Sequence, residues 1–226
     1  MKFLITLIVV FVAAIAAFTF VGTLISDGGP TINRGKSLSF SDLLDGRDDS
    51  GGGPVAVGSS NDWRSRHVHI MGDSLTVSAE RQLEEAIPGA SIDGRVSRGM
   101  TAGVSIYREW MTLGLVEEND IIVFALANNV ENGTITSLDS LIGDIGPKQS
   151  LVLVTGHGLE NMRPINEYIR TLPDKYSFIV VADWDEAISA NSSWLADDGI
   201  HISDSRGNKL YADVIVDALE RVSFVS

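Results

Sequence analysis

The sequence predicts a three-layer α/β/α sandwich on a mostly parallel, five-stranded sheet, preceded by one transmembrane helix. Three observations carry this expectation. Short runs rich in Val and Ile alternate with longer helical patterns over most of the chain. Those runs show little polar alternation, as expected of strands covered on both faces in a parallel sheet. Residues Phe3 to Ile25 contain no charge and no proline.

The segment Phe3 to Ile25 spans 23 residues, and a helix needs about 20 apolar residues to cross a bilayer. Lys2 precedes it and Asp27 follows it, which places the N-terminus in the cytoplasm and the rest outside. The rival reading is a cleaved signal peptide with Ala14-Ile15-Ala16 as its cleavage signal. Cleavage there leaves Ala17 to Ile25 as an exposed apolar tail, so the uncleaved anchor is preferred. Both readings put the following domain outside the cytoplasm. Residues 1–26 are thus expected to be a membrane anchor and 27–66 a flexible linker. Gly28-Gly29-Pro30, Asp48-Asp49-Ser50 and Gly51-Gly52-Gly53-Pro54 cannot bury enough apolar surface to order themselves. Residues 67–226 form the expected catalytic domain.

Within it, strands are expected at His67–Met71, Ser91–Val96, Asp120–Leu126, Ser150–Thr155 and Ser177–Ala182. Helices are expected at Leu75–Ala86, Thr101–Leu113, Ile135–Ile145, Leu159–Thr171 and Ser205–Val222. Strand–helix alternation with right-handed crossovers gives the open sandwich. Sites in such sheets form at the carboxyl ends of the strands, and Ser74, Gly99 and Asn128 each fall just after a candidate strand.

Composition narrows the function. A net charge of −13 argues against nucleic acid, whose binding needs cationic side chains on the phosphates. With no cysteine, disulfides, thiolate catalysis and cysteine-ligated zinc are excluded.

Three separated fragments supply a hydrolytic site: Gly72-Asp73-Ser74-Leu75, Asn128-Asn129 and Asp198-Gly199-Ile200-His201. A serine nucleophile needs a base to take its proton and an acid to orient that base. Alone, Ser74 reads better as a helix cap than as a nucleophile; here Asp73 can cap instead. Gly-Asp-Ser-Leu also differs from the Gly-x-Ser-x-Gly elbow of the α/β-hydrolases.

Together with Val96-Ser97-Arg98, Asp183-Trp184, Gly207 and Tyr211, these fragments resemble the SGNH (GDSL-type) hydrolase superfamily over residues 67 to 222. Within it, the likeness is to the extracellular catalytic domain of bacterial peptidoglycan O-acetyltransferases. The resemblance implies a flavodoxin-like SGNH fold and a catalytic set of Ser74, Asp198 and His201. The family motif puts the acid three residues before the histidine, hence Asp198 rather than Asp197. The Ser74 and Gly99 amides and the Asn128 side chain are the expected oxyanion donors, with Asn129 as the alternative to Asn128. Two positions depart from the family pattern. Gly99 stands where a larger polar residue is usual, and Leu126 where glycine is usual. Arg98 and Trp194 are expected to meet substrate; their alternatives are pairing with a nearby acid and ordinary packing.

The expected function is a single-pass, membrane-anchored, extracytoplasmic serine esterase or O-acyltransferase working through an acyl-serine. The resemblance implies acetyl as the acyl group and cell-wall glycan as the carbohydrate. Family transferases usually sit beside a multispanning membrane domain that delivers acetyl groups. One span therefore implies an esterase, or a transferase served by a separate multispanning donor protein. No cofactor or metal is expected. The rivals are a zinc site on His67-x-His69 joined by His157, lacking any recognised spacing, and a non-catalytic carbohydrate-binding domain, which predicts a missing triad member.

Overall fold

The computed structural model describes residues 62–224. The expected anchor and all but the last residues of the expected linker lie outside that range. Among the described residues no helix is long and apolar enough to cross a membrane.

Five parallel strands form one sheet: β1 (Val68–Gly72), β2 (Ser91–Gly94), β3 (Ile121–Ala125), β4 (Ser150–Val154) and β5 (Ile179–Ala182), in the order β2-β1-β3-β4-β5. The helices are α1 (Ser74–Ala86), α2 (Met100–Thr112), α3 (Thr134–Asp144), α4 (Arg163–Thr171), α5 (Trp184–Ser189) and α6 (Ser205–Leu219). Successive strand residues face opposite sides of a sheet. In β3, Ile121, Val123 and Ala125 pack into one core with α1, α5 and α6, while Ile122 and Phe124 pack into the other with α2, α3 and α4. β4 divides likewise, Val152 and Val154 against Leu151 and Leu153. Two cores, one on each face, are why β3 and Leu151–Val154 of β4 read as unbroken apolar runs.

The expected alternation of elements is present, with instructive shifts at the ends. β2 is an edge strand, and its Ser91 is exposed, so full burial does not extend to it. It stops at Gly94, after which Ser97 adopts a positive φ of 61° and turns the chain towards α2. Helix α4 begins at Arg163 rather than Leu159, after a 3₁₀ turn at Glu160–Met162. Pro164 explains this: it has no N–H to donate and is tolerated only in a first turn. Helix α5 is not among the expected elements, because six residues are too few to show periodicity. Its cue is Asp183, whose side chain accepts from the Glu186 N–H and caps it. The linker boundary also moves. Trp63 is only 5% exposed and packs into the α1/α6 core, so the domain has begun by Asp62.

Candidate active site

The carboxyl ends of β1 to β4 and the loop between α5 and α6 deliver the parts of the site. Gly72 closes β1 so tightly against α1 that a Cβ there would lie 1.8 Å from Thr76 Oγ1, so this position demands glycine. Asp73 is fully buried and caps α1, its Oδ1 accepting from the Leu75 N–H at 3.0 Å. With the cap supplied by its neighbour, Ser74 becomes the first helical residue, and its Oγ lies 3.1 Å from His201 Nε2.

His201 comes from the loop between α5 and α6. Leu195 and Ile202 form an isolated antiparallel bridge, and Gly199 takes a left-handed φ of +68° that closes the turn between them. The turn folds Asp198 back onto the histidine. Asp198 Oδ2 is 2.7 Å from His201 Nδ1, while Oδ1 accepts from the Ile200 and His201 N–H groups, each at 2.9 Å. The bond from the His201 ring, helped by those backbone amides, pulls the Asp198 carboxyl down to about 2. Asp197 makes no hydrogen bond of this kind among the described residues. Both Asp198 and His201 have half-exposed side chains, so the pair sits on an open rim.

The two departures from the family pattern have structural counterparts. Leu126 is fully buried, and a Cβ on Gly103 of α2 would lie 2.2 Å from its Cδ1. A bulky residue on the strand is matched by a glycine on the helix, so Asn128 keeps its place beyond the strand end. At position 99, a Cβ would lie 2.9 Å from the Glu131 carboxylate; that space is already filled from another loop.

The two asparagines are held differently. Asn128 Oδ1 accepts from the His157 N–H at 2.8 Å, while its amide side bears on the Asp73 carboxyl. Asn129 Nδ2 donates to Asp73 Oδ2 at 3.1 Å. Burial pushes the Asp73 carboxyl up to about 6, opposed by the Leu75 amide, the Asn129 side chain, the His201 charge and the Asn128 side chain. The Ser74 and Gly99 N–H groups donate to no backbone or side-chain acceptor among the described residues.

Arg98 and Trp194 both make contacts within the protein. Arg98 is buried, and its guanidinium donates to Asp93 O at 2.6 Å and Asp93 Oδ1 at 2.7 Å. It ties the end of β2 together and presents no free face to substrate. Trp194 is partly exposed and packs against the α1/α6 core with the Arg206 guanidinium over its ring. Trp184 is likewise core, edge-on to Tyr211. The three-histidine zinc site does not form. His67 and His69 lie at the amino end of β1, bonded to Ser91 and Asp120, whereas His157 follows β4 at the opposite end. Among the described residues no three side chains of metal-binding type converge.

The structure adds a loop that sequence reasoning overlooked. Gly156-His157-Gly158 follows β4 and braces both sides of the site. A Cβ on Gly156 would lie 2.5 Å from Ala127 O, and one on Gly158 would lie 2.5 Å from Gly199 O. The signal was available as paired glycines at the carboxyl end of a strand.

No protein-family model matches the chain. It is 26% identical over 164 residues to the O-acetyltransferase OatA of Staphylococcus aureus, covering 72% of this chain and 26% of that protein. The chain therefore spans about a quarter of the length of the curated relatives it matches. The C-terminal catalytic domain of Streptococcus pneumoniae peptidoglycan O-acetyltransferase A, solved with a methylsulfonyl adduct, superposes with a TM-score of 0.63. Identity is 26%, over 69% of this chain and 93% of that domain. The chain resembles the SGNH (GDSL-type) hydrolase superfamily, close to its peptidoglycan O-acetyltransferases. A lipolytic G-D-S-L family protein from Veillonella parvula shares the fold at 13% identity, with a TM-score of 0.55 over 67% of this chain and 97% of that one.

Proposed function

We propose that this SGNH domain is a serine esterase or O-acyltransferase, acting on acetyl esters of cell-wall carbohydrate. One observation carries the reading: Asp198, His201 and Ser74 stand in a continuous line, with contacts of 2.7 Å and 3.1 Å. Ser74 Oγ attacks the ester carbonyl carbon while His201 Nε2 takes the hydroxyl proton. Asp198 holds the ring through Nδ1 and stabilises the imidazolium that forms. The carbonyl oxygen becomes an oxyanion, met by the Ser74 and Gly99 N–H groups and the Asn128 amide. Collapse breaks the ester C–O bond, the leaving alcohol takes the proton from His201, and acetyl-Ser74 remains. Water or a sugar hydroxyl then attacks the acyl-enzyme while His201 accepts its proton; the acyl–Ser74 C–O bond breaks, and His201 returns the proton to Ser74 Oγ.

The substrate class rests on likeness to the peptidoglycan O-acetyltransferases. Placement outside the cytoplasm on a membrane anchor rests on the apolar segment Phe3 to Ile25 and its flanking charges. The test uses the full chain with p-nitrophenyl acetate. Hydrolysis should be lost in Ser74→Ala, a serine-directed phosphonate should label Ser74, and EDTA should leave the rate unchanged. Labelling elsewhere, or full activity in Ser74→Ala, ends this reading. Adding a glycan acceptor separates the outcomes: O-acetylated glycan marks a transferase, acetate alone an esterase.

A further inference from the structure

The proposed oxyanion donors come from two different loops. Gly99 follows β2 and starts α2; Asn128 follows β3. Helix α2 has no side-chain cap of its own, because its N-cap residue is Gly99. Glu131, three residues beyond Asn128, supplies the missing acceptor from across the site. Its Oε1 accepts from the Thr101 N–H at 2.8 Å, which satisfies a first-turn donor that otherwise has no intrahelical partner.

Glu131 is itself held firmly. Its N–H donates to Thr134 Oγ1 at 2.9 Å, and its carbonyl accepts from the Thr134 hydroxyl and N–H at 2.8 and 3.2 Å. Thr134 is buried. The carboxylate of Glu131 covers the face of Gly99, with both oxygens and the carboxyl carbon within 3.0 Å of where a Cβ would stand. A side chain at position 99 therefore requires the Glu131 carboxylate to shift from its bridging position.

We infer that Glu131 is a positioning residue: it locks the Gly99 loop to the Asn128 loop and so sets the spacing of the two oxyanion arms. This rests on the reading that Gly99 and Asn128 serve the oxyanion. An ordinary helix cap contributes to stability alone; a positioning residue also changes turnover without changing ground-state affinity.

The experiment measures kcat and KM for acetyl-ester hydrolysis by the full chain, with thermal melts as the folding control. A misplacement of about 1 Å in a catalytic array costs on the order of a hundredfold, so Glu131→Ala should lower kcat about 10- to 100-fold. KM should move by less than about threefold, since the oxyanion exists only in the transition state. Glu131→Gln keeps a carbonyl acceptor for Thr101 and should recover kcat to within about threefold of wild type. Gly99→Ala should displace Glu131 and reproduce the Glu131→Ala loss. Because both act on one bridge, the double variant should be no worse than either alone. A folded Glu131→Ala with wild-type kcat, failure of Gln to rescue, or losses that multiply in the double variant overturn the inference. If the wild type does not hydrolyse the ester, or Ser74→Ala does, the proposed function falls and this inference with it. With an active, Ser74-dependent wild type, the Glu131 variants report on Glu131 alone.

Discussion

Asp73 Oδ2 accepts from Asn129 Nδ2 at 3.1 Å, joining the residue before the proposed nucleophile to the residue after the proposed oxyanion asparagine. The contact separates two adjacent asparagines that look alike in the sequence. Asn129 spends its donor on a buried carboxylate. Asn128 spends its acceptor on His157, and its amide bears on Asp73 more weakly than that of Asn129 does.

Asn128→Ala should therefore cost about a hundred- to a thousand-fold in kcat with little change in KM, as for removal of one oxyanion donor. Asn129→Ala should act on stability instead. It strips a partner from a fully buried Asp73, and an unsatisfied buried group costs about 1–3 kcal/mol. Steady-state kinetics and urea melts on both variants test the assignment; reversed effects exchange the two roles.

Asp198→Asn should lower kcat by about four orders of magnitude, because an amide no longer selects the productive tautomer of the imidazole. Asp197→Asn should change kcat by less than about tenfold, since a surface substitution away from the site perturbs little. Two pH–rate profiles and two turnover numbers decide it. A larger loss from Asp197 shifts the acid by one residue.

Much of this arrangement is legible in the sequence because it depends on local signals. Strand runs, helix starts and the Asp-x-x-His spacing each lie within a few residues, so Ser74, Asp198 and His201 can be named without sight of the fold that brings them together. Three things are not legible, and all depend on residues distant in the chain. Leu126 departs from the family glycine, but its match on Gly103 is an inter-element fit. Arg98 follows Ser97 in a motif that suggests a ligand, yet its burial against Asp93 follows from where β2 ends. Glu131 carries no motif at all, and only the folded chain brings it to Thr101.

The buried pair at the other end of the sheet should matter to folding and not to chemistry. His69 Nε2 lies 2.9 Å from Asp120 Oδ2, and that oxygen also accepts from the Glu117 N–H at 2.7 Å. Asp120→Ala leaves the buried imidazole and the amide without their acceptor. It should cost about 2–4 kcal/mol, one to two times the usual penalty for an orphaned polar group. The kcat of the folded variant should match wild type. A selective loss of turnover places His69 in the mechanism and revises the site.

Asp73 gives the domain a pH dependence whose sign is opposite to that of an ordinary paired carboxylate. Burial raises its folded-state value to about 6 from an unfolded value of 3.8. The folded state therefore binds this proton more tightly than the unfolded chain does. The group's contribution is fully present below the unfolded value and is lost as pH rises through about 6. Each pH unit of displacement is worth about 1.4 kcal/mol, so the full effect across this window is about 3 kcal/mol. Asp73→Asn removes the titration while leaving a carbonyl oxygen for the Leu75 N–H. Whatever constant cost that substitution carries, it cancels when stabilities are compared across pH. The wild type should gain stability relative to Asp73→Asn as pH falls from about 7 to about 4, by an amount approaching that figure. Urea melts of both proteins at several pH values measure it. A difference that stays flat between those limits shows that Asp73 does not titrate there, and a difference of the opposite slope shows that the Leu75 and Asn129 bonds outweigh burial.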